Sequence, residues 1–307
     1  MFFIVKTIVT HFNPDLDAVC SIWLLKKFYP EFLHAEVQFV AAGNTWQGMD
    51  VDSDPNVIHV DTGHGILDHH QEDEKNTCSA RLSLEFLKSK GIEGDEALDR
   101  LVEVVNEIDH FREVYWPNPG ADRYEFCLEA MLDGWKLLYQ GQDLRFIDWG
   151  LDCLDGLYRN LQNKVWAEGE IQTVGKEFTT RFGKGIAVET MNDDILHVGQ
   201  KMGYMIAVRL DPKKHYLRIK AVPPHQKELC AGDCHCKEHS KGNCCCNMAN
   251  VDIDLGKALA EFKKMDSSAT WYLHPDHRQL LNGSTKNSEM RPTKLTLEEV
   301  IGVLSKI

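Results

Sequence analysis

Seven acidic and imidazole residues in the first third of the chain are of the types that hold divalent cations: His11, Asp15, Asp17, Asp61, His69, His70 and Asp109. The densest stretch carries Asp61 and then, seven residues on, Asp68, His69 and His70. Carboxylates and imidazoles packed this closely behind an apolar run repel one another and lose hydration, a cost that binding a positive charge offsets. A lone His or Asp would be read as structural, and the bland alternative here is an acidic loop on a solvated edge. Seven such residues, each following an expected strand or helix, point instead to a cation site. Four carboxylates and three imidazoles can hold two divalent ions about 3.5–4 Å apart, a spacing that suits activation of a water against a phosphoester. Mixed His and carboxylate ligation suits Mn2+, with Mg2+, Co2+ or Zn2+ as alternatives.

The elements that must position these residues follow from the apolar pattern. Residues 3–10 are a β-branched run and read as the first strand. The stretch from His11 to Asp17 is the turn after it, and a helix runs on to about Phe28, with Ala18, Ile22 and Leu25 on one face. Residues 35–42 read as a second strand, broken by Gly43 and Asn44, and residues 56–61 as a third. Ligands of open α/β sheets sit beyond the carboxyl ends of the strands, so Asp61 is aimed at a ligand. Residues 79–88 read as a helix. Another opens at Gly94, carries Leu98, Leu101, Val102, Val105 and Ile108 as its stripe, and delivers Asp109 and His110 at its end. Strands alternating with helices predict an α/β protein. Its N-terminal doubly wound parallel sheet is expected over 1–142, with a helical connector at 143–184 and a smaller α/β C-terminal domain at 185–307. In that last part, 204–210 and 216–222 predict a hairpin, 255–265 a helix, 269–274 a strand, and Thr296 the N-cap of a closing helix.

The net charge of −13 is unevenly spread. Residues 1–200 hold 17 Lys and Arg against 35 Asp and Glu; residues 201–307 hold 17 against 12. An acidic half suits cations and a basic half suits phosphates. The overall acidity argues against sequence-blind grip on long duplex DNA, which needs many phosphate contacts. Of ten cysteines, six lie within 230–246. Cys230, Cys234, Cys236, Cys244, Cys245 and Cys246, with His235 and His239, are dense enough for zinc or another soft metal. Their spacing matches no standard zinc module, and an insertion of free thiols is the equal alternative. No apolar run approaches the roughly 20 residues of a membrane span, and the start has the wrong flanks for a signal peptide. The expectation is therefore a cytoplasmic protein with no membrane partner.

The 11–17 motif (His-Phe-Asn-Pro-Asp-Leu-Asp), together with Asp68, His69 and His70, resembles the DHH phosphoesterase superfamily. The first motif is similar to that of the family II inorganic pyrophosphatases. The overall layout resembles the melanocyte-proliferating-gene family of metal-dependent, DHH-like RNA exonucleases: Asp61 followed by Thr62 and Gly63, then Asp68 to Gln71, then Asn106 to Asp109. The likeness is strong over residues 7–110 and weak after 185, where 219–223 and Leu273-His274 carry it. It implies that His11, Asp15 and Asp61 hold one ion and that Asp17, Asp61, His69 and Asp109 hold the other, with Asp61 bridging. His70 would touch the substrate phosphate and Asp68 would orient the imidazoles from behind. Water activated between two ions would attack phosphorus in line, with no protein nucleophile. Two departures stand out. The exonuclease-like branch has His in place of the first aspartate of this Asp-x-Asp, and its C-terminal Gly-Gly-His is here Asn282, Gly283 and Ser284. The loop of Gly283, Ser284 and Lys286 is either a phosphate cradle or an ordinary turn. His274, Arg278 and Arg291 are further candidate phosphate contacts. By resemblance the substrate is the end of a short single-stranded RNA or oligonucleotide, then a small nucleotide, then inorganic pyrophosphate, with the basic half closing over it. A catalytically silent nucleotide or metal sensor is the rival from another class. The oligomeric state is left open, a dimer included.

Overall fold

The β-branched runs at 7–11, 36–40 and 57–59 alternate with connections that bring them side by side as parallel strands. The computed structural model describes residues 5–71, 76–224, 252–284 and 286–307. The chain divides into two compact units, Met1–Gln162 and Asn163–Ile307. In the first, β1 (Thr7–His11), β2 (Glu36–Val40) and β3 (Val57–His59) form a sheet in the order β2-β1-β3. Both pairings are parallel. Ile8, Val9 and Thr10 of the central strand are wholly buried, as a strand with a neighbour on each side should be.

Asp15 caps α1 (Leu16–Phe28): its Oδ1 accepts from Ala18 N at 3.0 Å. The sequence predicts one apolar face for this helix, but every residue from Leu16 to Leu25 is buried. The reason is its surroundings. α2 (Ser79–Ser89) and α3 (Glu96–Asp109) both pack on it, and α5 (Asp143–Thr173) lies against Val19 and Trp23. Gly150 of α5 makes that approach possible, because a Cβ there would sit 2.6 Å from Val19 Cγ1. α4 (Leu128–Leu138) adds Leu132 to the same core.

The second unit holds β4 (Lys176–Thr180), β5 (Gly183–Glu189), α6 (Ile195–Lys201), β6 (Ile206–Leu210), β7 (Leu217–Ala221), α7 (Gly256–Met265), β8 (Trp271–Leu273), β9 (Gln279–Asn282) and α8 (Leu297–Leu304). Its strand order is β4-β5-β6-β7-β9-β8. Only β5 and β6 are parallel, joined through α6; β6 and β7 are the hairpin expected from the sequence. Helix persists through Thr173, and β4 then begins at Lys176, inside the stretch read from sequence as connector. Thr296 and Glu299 form a capping box at the start of α8. No helix among the described residues is long and apolar enough to cross a membrane. The cysteine cluster, with Cys230, Cys234, Cys236, His239, Cys244 and Cys246, lies outside the described residues.

Gly283 follows β9 with φ +75, and a Cβ there would stand 2.0 Å from Tyr216 Cδ1. Left-handed strain and overpacking add, so Gly283→Ala should cost about 2–4 kcal/mol of stability. Chemical denaturation measures this; an unchanged midpoint would show that Tyr216 gives way freely.

Candidate metal centre

His11 ends β1, Asp15 and Asp17 open α1, Asp61 follows β3 and Asp109 ends α3. Four different elements therefore converge beyond the carboxyl ends of a parallel sheet. His11 Nδ1 donates to Phe12 O at 2.9 Å, which leaves Nε2 as the nitrogen facing Asp61 Oδ2 at 3.2 Å. His69 Nε2 stands 3.5 Å from Asp61 Oδ1, 3.7 Å from Asp109 Oδ2 and 3.8 Å from Asp17 Oδ2. One imidazole nitrogen thus faces three carboxylates. The ligating atoms gather into three sets, each within 4.8 Å: His11, Asp15 and Asp61; Asp17, His69 and Asp109; Asp61, His69 and His70. Asp61 and His69 each belong to two sets.

The fit of this arrangement to cations shows in Asp61. Its side chain is buried, its backbone is left-handed at φ +54, and Oδ1 is a buried oxygen with no hydrogen-bond partner among the described residues. A buried anionic oxygen left so is costly unless it meets positive charge. Burial pushes the Asp61 carboxyl up, but the hydrogen bond from His11 and the neighbouring His69 ring outweigh it and hold it below the usual range. Burial pushes Asp109 up to about 6, the His69 charge opposing and Asp61 and Asp15 adding. Burial lowers His11, yet its bond to Asp61 carries it to about 9. The Asp61 bond, with Asp109 and Asp17 nearby, lifts His69 to about 9 against its burial.

The sign for metal binding follows. Without metal, His11 and His69 hold protons at pH 7, whereas a metal takes the neutral imidazole. Affinity should therefore rise with pH from 6 to about 9, and binding at pH 7 should release the protons of both imidazoles. Calorimetry in buffers of different ionisation enthalpy measures that release; no release would contradict this placement of the two imidazoles.

Asp17 has a second task. Its Oδ2 accepts from Ser79 N at 2.7 Å and its Oδ1 from Ala80 N at 2.8 Å. It thereby closes the first turn of α2, whose own N-cap residue, Cys78, makes no side-chain cap bond. Asp68 is also buried. Its Oδ1 accepts from His70 N at 3.1 Å and pairs with His70 Nδ1 at 2.7 Å, while Oδ2 accepts from His64 N at 2.7 Å. A pocket of about 290 Å³ is lined by His11, Asp15, Asp61, Asp68, His70 and Asp109 together with Ala42, Gly43 and His64.

His64 was not singled out by the sequence; the signal was its place between two glycines, Gly63 and Gly65, in a loop that needs left-handed backbone. His59 and Asp52 were missed as well. His59 Nε2 accepts from Trp46 N at 3.0 Å, and Asp52 Oδ2 accepts from Ile66 N at 2.9 Å, so both fasten the loops around the site.

The candidate phosphate contacts all lie in the second unit, and they divide between the two ends of β9. His274 and Arg278 stand at the β8–β9 turn. Gly283, Ser284, Lys286 and Arg291 lie beyond the other end, where Arg291 O accepts from Thr270 N and Asn282 Nδ2. His274 Nδ1 is 2.8 Å from Asp276 Oδ1. Arg278 is buried, and its guanidinium donates to Val222 O at 3.0 Å and Asp252 Oδ1 at 2.5 Å. Arg291 Nε donates to Ser268 O, and Ser284 Oγ accepts from Lys286 N at 3.1 Å.

No protein-family model matches the sequence, and no curated protein matches it. Among solved structures, one similar chain is described as a member of the s1p family of ribosomal proteins, DHH domain. It is 11% identical over 98% of this chain and 85% of that one, with a TM-score of 0.31.

Proposed function

We propose that the chain is a metal-dependent phosphoesterase, like the DHH phosphoesterases its motifs resemble, and that it hydrolyses phosphodiesters at the end of short single-stranded RNA or oligonucleotides. The observation that carries this reading is Asp61, a buried carboxylate shared by two ligand sets and left with an unpartnered oxygen. His11, Asp15 and Asp61 would hold one divalent ion; Asp17, His69 and Asp109 would hold a second, with Asp61 reaching both. Mn2+ suits the donors best, with Mg2+, Co2+ or Zn2+ as alternatives. When bound, such ions supply a water that is nucleophilic at neutral pH and positive charge for the phosphoryl oxygens. The chain's own residues do the rest. His11 is fixed in one tautomer by Phe12 O. His70, locked through Nδ1 by Asp68, keeps Nε2 for a phosphoryl oxygen. Among the described residues lining the pocket, none is a serine or cysteine.

The test is a screen of metal-stripped protein with added Mn2+ against short single-stranded RNA, matched duplex, dinucleotides and pyrophosphate. Mn2+-dependent release from an end of the single strand, abolished by EDTA, is the expected result. Turnover of dinucleotides alone would make it a small-nucleotide phosphodiesterase, and turnover of pyrophosphate alone a pyrophosphatase. Metal binding without any turnover would make it a sensor.

A further inference from the structure

We infer that His64 is a catalytic residue of this site, the donor that protonates the leaving-group oxygen as the phosphodiester breaks; the inference rests on the phosphoesterase reading above. Its backbone is the first observation. Asp61, Gly63 and His64 all have left-handed φ, at +54, +81 and +57. A histidine held there is strained, and such strain persists only where the surroundings over-determine it.

Here they do. Thr62 Oγ1 accepts from Gly43 N at 3.0 Å, Asp68 Oδ2 takes His64 N, Asp52 Oδ2 takes Ile66 N, and Gln71 Nε2 donates to Gly65 O at 3.0 Å. Gly65 is clamped as well, since a Cβ there would stand 2.5 Å from Asp52 Oδ2. All this fixes the backbone that carries the His64 ring, and the ring itself does little for the fold. The His64 side chain is 56% exposed, and its Nδ1 stands 3.8 Å from Asp68 Oδ2.

The second observation is where the ring lies. It lines the same pocket as His11, Asp15, Asp61 and Asp109. A Cβ at residue 43 would stand 3.7 Å from His64 Nε2, an ordinary contact distance, so that nitrogen lies beside Gly43 in the pocket lining. The one buried carboxylate of Asp68 thus faces two half-exposed imidazoles, one oxygen toward each. His70 is bound to it at 2.7 Å and lies 3.7 Å from Asp61 Oδ1, beside the ligands. His64 is held only through its backbone and stands free of the ligand sets. Among the described residues lining the pocket, these two are the proton donors outside the two three-ligand groups assigned to the ions.

The oxygen of the attacking water bonds to phosphorus and the bond from phosphorus to the leaving oxygen breaks. The leaving oxygen takes the proton from His64 Nε2 and departs as an alcohol. The water's proton passes to solvent, and the exposed His64 ring regains one from solvent.

The experiment compares two esters of one nucleotide, a dinucleotide with a poor alkoxide leaving group and a p-nitrophenyl ester whose leaving group needs no proton. His64→Gly and His64→Asn are the variants, because both residues accept a left-handed backbone and neither should unfold the loop. With Mn2+ present, both variants should lose roughly 100-fold or more on the dinucleotide. On the p-nitrophenyl ester they should lose only a small part of that. Calorimetric Mn2+ stoichiometry should match the wild type, and His70→Ala, run alongside, should lose on both esters alike. Equal losses on the two esters, no loss on the dinucleotide, or loss of a bound ion would each overturn the role of His64. Wild-type protein that binds Mn2+ and cleaves neither ester would overturn the phosphoesterase reading, and this inference with it.

Discussion

Asp61→Asn should abolish phosphodiester hydrolysis while leaving the chain folded. Asn is nearly isosteric and tolerates the left-handed φ of +54. It cannot supply the negative charge that both ligand sets share, nor the partner that orients His11 and His69. Loss of a group behind a single ligand typically costs about 10–100-fold, and Asp61 serves two sets directly, so a fall of roughly 1000-fold or more is expected. The measurement is kcat/KM with saturating Mn2+, beside a melting curve. A variant within tenfold of wild type would remove Asp61 from the centre. Ser284→Ala provides the contrast. Its hydroxyl accepts one bond from Lys286 N, worth about 0.5–1.5 kcal/mol, so any loss there should stay near tenfold or below.

Asp68→Asn should lower activity by about 10–100-fold with both ions still bound. Asp68 is 1% exposed and accepts from His64 N, His70 N and His70 Nδ1. An amide offers one oxygen and places an NH2 against a donor. A buried N–H is then left unsatisfied, which costs about 1–3 kcal/mol of stability. The two imidazoles that Asp68 faces lose their common anchor while His11, Asp15, Asp17, His69 and Asp109 keep theirs. Activity, denaturation and Mn2+ stoichiometry measured together separate these effects. Wild-type activity, or loss of an ion, would contradict the assignment of Asp68 as a positioning residue.

The sheet positions were legible because period and position agreed. The β-branched runs ending at His11 and just before Asp61 are strands, and the stripe from Leu98 to Ile108 is one face of α3, which ends at Asp109. What could not be read depends on partners distant in sequence. Asp17 closes α2 through Ser79, 62 residues away. α1 is buried all round because three helices cover it, and no local pattern reports that. The loop holding His64 has no periodicity, and its conformation is set by Asp52, Asp68 and Gln71. In the second unit β4 and β9 are short and carry polar residues, so their apolar signal was weak. Arg278 looks like a free cation in sequence, but Val222 O and Asp252 engage it.

The most direct test of the proposed two-ion centre is a Mn2+ titration of metal-stripped protein at pH 8, followed by calorimetry and by electron paramagnetic resonance. Two ions about 3.5–4 Å apart share a bridging ligand and couple magnetically. Two Mn2+ per chain are expected, with the signal of isolated Mn2+ quenched as the second site fills. In Asp61→Asn that quenching should disappear. A single ion, or two that remain magnetically independent in the wild-type protein, would contradict it.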